Sequence, residues 1–479
     1  MEYFVDSENN RFRIHYDISG ENAIPLTDDD QNGIPDYIDS TIIFLNQSYE
    51  VSVNQLGWNQ PIPDLNTYEN RPNGGSAAID VYLLEVSKDR YYGLASPESV
   101  TDYEGNSGYL ILDNNYTDDV YKTKRYEALK VTIAHEFHHI IQFSYGKSLT
   151  WTVILEMLST YMENKVFPET LDMKNYVDSL FRSPISSQLS LGDPIYGYMY
   201  NIFFHYVDIK YGPEQVHELW KVLIGKDEHF LKIWDRYFTE TFNSSIESEF
   251  TEFVEWCYYS GDRAVEGMYF PFGKYFNNLR PSLNQKYTEP SLSDSKNLYS
   301  FGFNYLRIEY PTSSPAETND TIDVLITNTS LENLDDIPIT DTYYFATFSS
   351  QQNQSKKLSE IDYYVITKEE SIFDFNIIQL PGLKPQTIED PYPSPLRLNI
   401  SQYIIFPVDE SHKSFDEVEL QILNSNMENI YRSDMNIEVV NNKKVVKLTD
   451  LSKIKTSGIY YFTIKNSDKS IYGKFAVVR

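Results

Sequence analysis

ALKVTIAHEFHHIIQFSYG, residues 128–146, places three of the chain's eight histidines within five positions of an otherwise apolar segment. Leu129, Ile133, Phe137, Ile140 and Ile141 recur at the spacing of a core-facing helix, with neither Gly nor Pro before Gly146. The segment is expected to be helical. At about 100° per residue, His135 and His139 fall within roughly 40° of each other, opposite the apolar stripe, so their imidazoles converge on one point. Glu136 projects beside that point, within reach of a water there. Two neutral imidazoles one turn apart set the bite for zinc, and an adjacent carboxylate can take a proton from water. The plain alternative is a satisfied core or surface pair, since unpaired polar groups are rarely buried. His138, some 60° off the ligand face, is expected to lie behind the ligands or at the surface.

A catalytic zinc takes three protein ligands and keeps one position open, so a third donor must exist. The next helical segment, TWTVILEMLSTYMENKVF, offers Glu156 and Glu163, seven apart and on one face. Glu156 is favoured: it lies between Leu155 and Met157, where an unpaired carboxylate would be costly. Glu163 sits beside Asn164 and Lys165 near the helix end, where a solvated charge is the simpler reading.

His-Glu-x-x-His followed by a helical Glu resembles the gluzincin class of zinc metallopeptidases, to which thermolysin belongs. The chain is similar, over roughly residues 11–270, to a family of secreted bacterial zinc metalloproteases. The resemblance is carried by FRIHYDISGENAIPLTDDDQNGIPDYID, AAIDVYLLEV, YYGLASPE, GYLILDN and HEFHHIIQF. It implies zinc held by His135, His139 and Glu156. The implied activity is hydrolysis of peptide bonds in a peptide or protein substrate, by water activated at the metal with Glu136 as general base. In that family the third-ligand helix reads Trp-x-x-Glu-Gly-x-Ala-x-Trp. Here Met157, Ser159 and Tyr161 replace Gly, Ala and Trp, so crowding near the metal is expected, with a consequence for catalysis more than for metal binding.

The chain has 479 residues, enough for two to four domains, and 41% hydrophobic with 15% aromatic residues excludes wholesale disorder. Seventy acidic against 40 basic residues give a formal charge of −30, which disfavours nucleic acid and anionic membranes and suits calcium. A single cysteine, Cys257, excludes an intramolecular disulfide. No run of 18 apolar residues reads as a membrane span, and MEYFVDSENN lacks the basic start and apolar stretch of a signal peptide. Either the protein is intracellular or a signal has been removed.

Changes of pattern along the chain predict an α+β architecture: a gluzincin-like metallopeptidase domain followed by two small β-sandwich domains. RFRIHYDI, AAIDVYLLEV and SGYLILDN read as strands and residues 37–56 as a helix, with a helical part over 150–285 closing a domain of residues 1–285. NYLRIEY, TIDVLIT, TYYFATF, DYYVIT and FNIIQL suggest a β-sandwich over 290–385. A hinge at EDPYPSPLRLN, stiffened by Pro391, Pro393 and Pro395, leads into a final β module over 390–479. That module, ending in GKFAVVR, resembles the C-terminal sorting domain of type IX secretion substrates, although many small Ig-like modules read similarly. The resemblance implies a secreted or cell-surface protein, passed to secretion machinery through this module, with its signal peptide removed.

A second cation site is suggested by DDDQNGIPDYID. With Asp28 at position 1, Asp30 falls at 3, Asn32 at 5, the Ile34 carbonyl at 7, Asp36 at 9 and Asp39 at 12, with Gly33 at the tight turn. This is the oxygen-ligand spacing of an EF-hand-type calcium loop over 28–39. A solvated acidic turn before a helix is the alternative. SGYLILDN is expected to offer an edge strand to an extended peptide. Tyr196 or Tyr198 is expected to donate to the developing oxyanion. Two other readings fit the same residues: a catalytically inactive zinc- and calcium-stabilised surface binding or adhesion protein, and an intracellular scaffold with a fortuitous motif.

Overall fold

The structure is a computed structural model and describes residues 1–64, 75–98, 105–146, 151–190, 192–265, 267–286, 291–310, 320–329, 331, 334, 341–348, 362–367, 375–381, 396–397, 403–408, 417–424, 429–440, 443–456, 458–465 and 470–478. Its N-terminal part is a five-stranded sheet of β1 (Tyr3–Asp6), β2 (Phe12–Tyr16), β3 (Ile79–Leu84), β4 (Gly93–Pro97) and β5 (Gly108–Asp113). The strand order is β1-β2-β3-β5-β4. β2, β3 and β5 run parallel, flanked by antiparallel β1 and β4. Parallel neighbours require a crossover, and α1 (Asp36–Tyr49) lies between β2 and β3. It continues into a wider π-helical turn, Glu50–Gln55, so the helix expected over 37–56 is present with a changed last turn.

One expectation is corrected by the strand order. SGYLILDN is not an edge: β5 lies between β3 and β4, and β4 is the outer strand among the described residues. The physical reason is visible in β5 itself, where Leu110 and Leu112 are fully buried, as the residues of a strand flanked on both sides tend to be.

α2 (Arg125–Phe143) packs on the sheet, with Phe137 meeting Phe12 edge to face at 5.7 Å. Such a pair adds about 0.5–1.5 kcal/mol beyond the area it buries. α3 (Thr152–Val166), α4 (Lys174–Arg182), α5 (Pro194–Tyr211), α6 (Pro213–Lys221), α7 (Phe230–Phe242) and α8 (Ile246–Tyr258) follow. The Asp193 side chain caps α5 by accepting from the Ile195 N–H at 3.0 Å, and Pro194 takes the first helical position. Gly212, at φ +105°, ends α5 in a conformation that a side chain would strain, and Pro213 starts α6. Lys210 near the end of α5 is buried between Glu249 and Glu252 of α8, at 2.7 and 2.8 Å. Removing one partner of a buried pair of this kind costs about 3–5 kcal/mol, because the remaining charge is left uncompensated.

Beyond residue 282 the chain is β-rich. β6 (Leu283–Lys286), β7 (Ser291–Leu298), β8 (Gly302–Tyr310), β9 (Asp320–Asn328), β10 (Asp341–Phe348), β11 (Asp362–Thr367) and β12 (Phe375–Pro381) form sheets ordered β12-β9-β8-β6 and β11-β10-β7. Phe301, Phe303, Tyr305 and Leu325 share one apolar core with the helices, and the Phe301 ring meets Phe250 of α8 at 5.2 Å. β13 (Leu396–Arg397), β14 (Ile404–Pro407), β15 (Glu417–Leu423), β16 (Asn429–Val440), β17 (Lys443–Leu448), β18 (Gly458–Lys465) and β19 (Ser470–Val478) make a seven-stranded sheet. It curls on itself, so that Phe406 of β14 packs on Phe462 and Phe475 at 4.8 and 5.5 Å over a core of its own. The hinge prolines 391, 393 and 395 lie outside the described residues. The architecture is therefore α+β, with helices and a mixed sheet first and antiparallel-rich sheets after.

Candidate metal centre

α2 and α3 lie side by side and face each other with the expected residues. His135 Nε2 is 3.1 Å from Glu156 Oε2, and His139 Nε2 is 3.8 Å from Glu156 Oε1. The three donor atoms lie within 4.8 Å of one another. Zinc bonds of about 2.0–2.2 Å at tetrahedral angles separate ligand atoms by roughly 3.3–3.5 Å, a spacing that these two distances bracket. Two nitrogens and one carboxylate oxygen are also the donor chemistry of catalytic zinc. The residues present fit the ion.

Glu163 is where sequence reasoning went wrong. It is not a solvated charge at a helix end but buried, with Oε1 2.7 Å from His135 Nδ1. Burial raises its pKa to about 7, against the pull of His135. A carboxylate behind a ligating imidazole fixes the ring and its tautomer. The signal was present, since Glu156 and Glu163 share a face of α3; what the sequence lacked was the depth of that face. Burial opposes a charge on His135, yet Glu156 and Glu163 on either side outweigh it and raise its pKa well above the usual imidazole range. Glu156 shows the converse: burial pushes it up, but its bonds to His135 and His139 hold it well below the ordinary carboxylate range.

His138 is also corrected. It is fully buried, edge-on to Trp58 at 4.6 Å, and burial lowers its pKa well below the usual value. It is a neutral core residue, neither a surface group nor a support of the ligands. Glu136 is buried beside the donors without joining them. Edge strand β4 comes against it at Gly93, where a Cβ would stand 2.6 Å from Thr132 Cγ2 and 3.1 Å from Glu136 Cγ. Only a residue without a side chain lets the strand approach the carboxylate this closely.

Of the three residues expected to crowd the metal, Met157 is buried in the core. On the facing helix, a Cβ on Gly197 of α5 would overlap the Val153 carbonyl and lie 2.7 Å from Glu156 Cβ. Ser159 Oγ is 3.2 Å from His139 Nδ1, and the Tyr161 hydroxyl turns away to donate to Asp208 at 2.9 Å. The close approach at Gly197 brings its neighbour Tyr198 to the centre. The Tyr198 ring is stacked on His135, with centroids 5.5 Å apart and planes 2° apart. Burial and a hydrogen bond to Glu156 keep its hydroxyl protonated, with the pKa far above the usual phenol range. Tyr196 instead donates to the Ser186 carbonyl at 3.4 Å, away from the donors.

The acidic loop brings Asp28, Asp30 and Asp36 together, with carboxylate oxygens within 4.8 Å. Gly33 turns the chain at φ +85°, and its N–H donates to Asp28 at 3.0 Å. The Asn32 amide donates to Asp30 at 3.1 Å and to Asp39 at 3.0 Å, while its oxygen accepts from the Ile34 N–H at 2.7 Å. Asp39 thus reaches the group through Asn32. A second carboxylate cluster, Asp64, Asp80 and Glu98, was not foreseen, because its members are far apart in the chain. His15 Nε2 lies 2.8 Å from Asp80, and burial with a hydrogen bond to Glu98 raises Asp64 to about 7.

A family model described as "Family of unknown function (DUF6055)" matches residues 103–324, less than half of the chain. The match begins before α2 and ends in β9, so it takes in the metal centre, all the later helices and the first strands that share their core. No curated protein matches the sequence.

Proposed function

We propose that this chain is a zinc-dependent peptidase of gluzincin type, exported by its host. The observation that carries the reading is the convergence of His135, His139 and Glu156, with Glu136 beside them under edge strand β4. Zinc bound there supplies Lewis acidity toward a water and a substrate carbonyl. The residues do the rest. Glu136 takes a proton from the attacking water as the carbon–oxygen bond forms, then delivers it to the amide nitrogen as the carbon–nitrogen bond breaks. The Tyr198 hydroxyl, kept protonated, donates to the carbonyl oxygen as that oxygen gains charge. An extended peptide adds to β4 as a further strand, which places its backbone beside Glu136.

Export rests on the resemblance of residues 390–479 to a type IX sorting domain, supported by the separate core of the seven-stranded sheet. No helix among the described residues is long and apolar enough to cross a membrane. The test is metal content combined with cleavage of a peptide library. About one zinc per chain, with cleavage that stops on chelation and returns with zinc, supports a peptidase. Bound zinc without cleavage of any peptide leaves the binding-protein reading, and protein that takes up no zinc sinks both.

Calcium at residues 28–39 is proposed as the second cofactor. Asp28, Asp30 and Asp36 repel one another unless a cation sits among them. Calcium is expected to raise the melting temperature, by the equivalent of about 2.7 kcal/mol at a hundredfold excess over its dissociation constant. Zinc should not substitute, because an all-oxygen site suits the harder ion. Thermal scans of Asp28→Ala/Asp30→Ala should lose the calcium response and keep the zinc content. A double variant that still responds to calcium like the parent removes the site.

A further inference from the structure

The proposed zinc site has a second histidine whose support is unlike that of the first. Behind His135 stands the carboxyl group of Glu163, which when ionised accepts from Nδ1–H, so that Nε2 is the nitrogen a metal would take. Behind His139 stands the amide of Gln142, with Oε1 2.7 Å from Nδ1. An amide is ambiguous. Turned over, it would present its NH₂ to Nδ1, the imidazole proton would move to Nε2, and that N–H would face Glu156 with no lone pair left for a metal.

One contact removes the ambiguity. Gln142 Nε2 lies 3.1 Å from the main-chain carbonyl of Leu155, a group that can only accept. The NH₂ must therefore face Leu155, the oxygen must face His139, and Nδ1 must hold the proton. Ser159 Oγ, 3.5 Å from Gln142 Nε2 and 3.2 Å from His139 Nδ1, can serve either arrangement and so does not choose between them. Gln142 and Ser159 are both buried, so bulk water does not compete for these groups.

We infer that Gln142 is a positioning residue that locks His139 in the tautomer able to ligate a metal, and that the α3 backbone at Leu155, the residue before Glu156, sets this lock. The inference rests on the zinc reading above and deepens it: docking of the helix that carries the third ligand also prepares the second. His139 is readied by a neutral group where His135 is readied by an anion.

The tautomer can be read without metal. In protein stripped with chelator and labelled with ¹⁵N-histidine, two-bond ¹H–¹⁵N correlation spectra are expected to show Nδ1 of His139 protonated in every form present, whether or not Nε2 also carries a proton toward Glu156. Gln142→Leu keeps the approximate volume but offers no acceptor. It should give a mixture of tautomers, with zinc affinity, measured against a competing chelator, lowered roughly 10–100-fold. Gln142→Glu loses the bond to Leu155 and should melt earlier. It restores an acceptor oxygen toward Nδ1, so the Nδ1–H form and an affinity within a few-fold of the parent should persist. A leucine variant with parental tautomer and affinity overturns the inference. So does an equal loss of affinity in both variants with the tautomer unchanged, which would make Gln142 merely structural. Parent protein that binds no zinc at all would instead sink the metal-site reading, while the stripped protein would still report whether His139 is locked.

Discussion

Glu136→Gln is expected to bind zinc as the parent does and to lose turnover by about 10²–10⁴-fold, the usual contribution of a positioned general base. The two halves of this result come from different contacts. Zinc is retained because Glu136 is not among the three converging donors. Turnover is lost because an amide of the same shape cannot accept the proton of the attacking water. Shape matters here: Glu136 is buried and its Cγ lies close under Gly93 of β4, so a smaller residue would also disturb the edge strand. The loss should fall on kcat and on kcat/KM together, since the interaction exists only as the reaction proceeds. Steady-state kinetics on a peptide found in the library, with zinc content measured on the same preparation, provides the check. Undiminished turnover in the glutamine variant would place the base elsewhere, and loss of zinc would mean that Glu136 is a ligand.

How much of this site could be read from the sequence depends on whether its geometry is local. His135, Glu136 and His139 lie on one helix, so their convergence follows from helical periodicity alone. The same is true of the loop from Asp28 to Asp36, where one tight turn at Gly33 gathers the carboxylates. Glu156 was legible only as one of two candidates, because periodicity within α3 places Glu156 and Glu163 on the same face and cannot say which faces both histidines and which meets the far side of His135 alone. That distinction is set by how α3 lies across α2. Strand order was equally hidden. SGYLILDN has the stronger strand pattern yet lies in the interior of the sheet, while the short run GLASP, weakly patterned, is the outer strand over the Glu136 carboxylate. The small residues that permit close approach, Gly93 and Gly197, carry no local signal at all, since their partners Glu136 and Glu156 are distant in the chain.

Glu156→Ala is expected to reduce zinc affinity more than Glu163→Ala, and both more than a surface substitution. Glu156 supplies the oxygen that faces both imidazoles, at 3.1 and 3.8 Å, and without it only two protein donors remain. Catalytic zinc is rarely held by two. Glu163 touches no other donor; it holds His135 from behind at 2.7 Å, and removing such a support typically weakens binding by about 10–100-fold. The glutamate-to-alanine loss at position 156 should exceed that range. Glu163→Gln should recover much of the deficit, since an amide oxygen can still accept from Nδ1–H, whereas Glu156→Gln should recover little, because a neutral amide is a poor zinc ligand. Competition titrations with a chelator of known affinity measure all four, and the spectrum of the cobalt-substituted protein separates a change of ligand set from a change of strength. Position 156 should alter the coordination spectrum and position 163 should leave its form intact. The opposite ranking, with Glu163→Ala the more damaging and Glu156→Ala spectrally silent, would make Glu163 the ligand and overturn the assignment of the third donor.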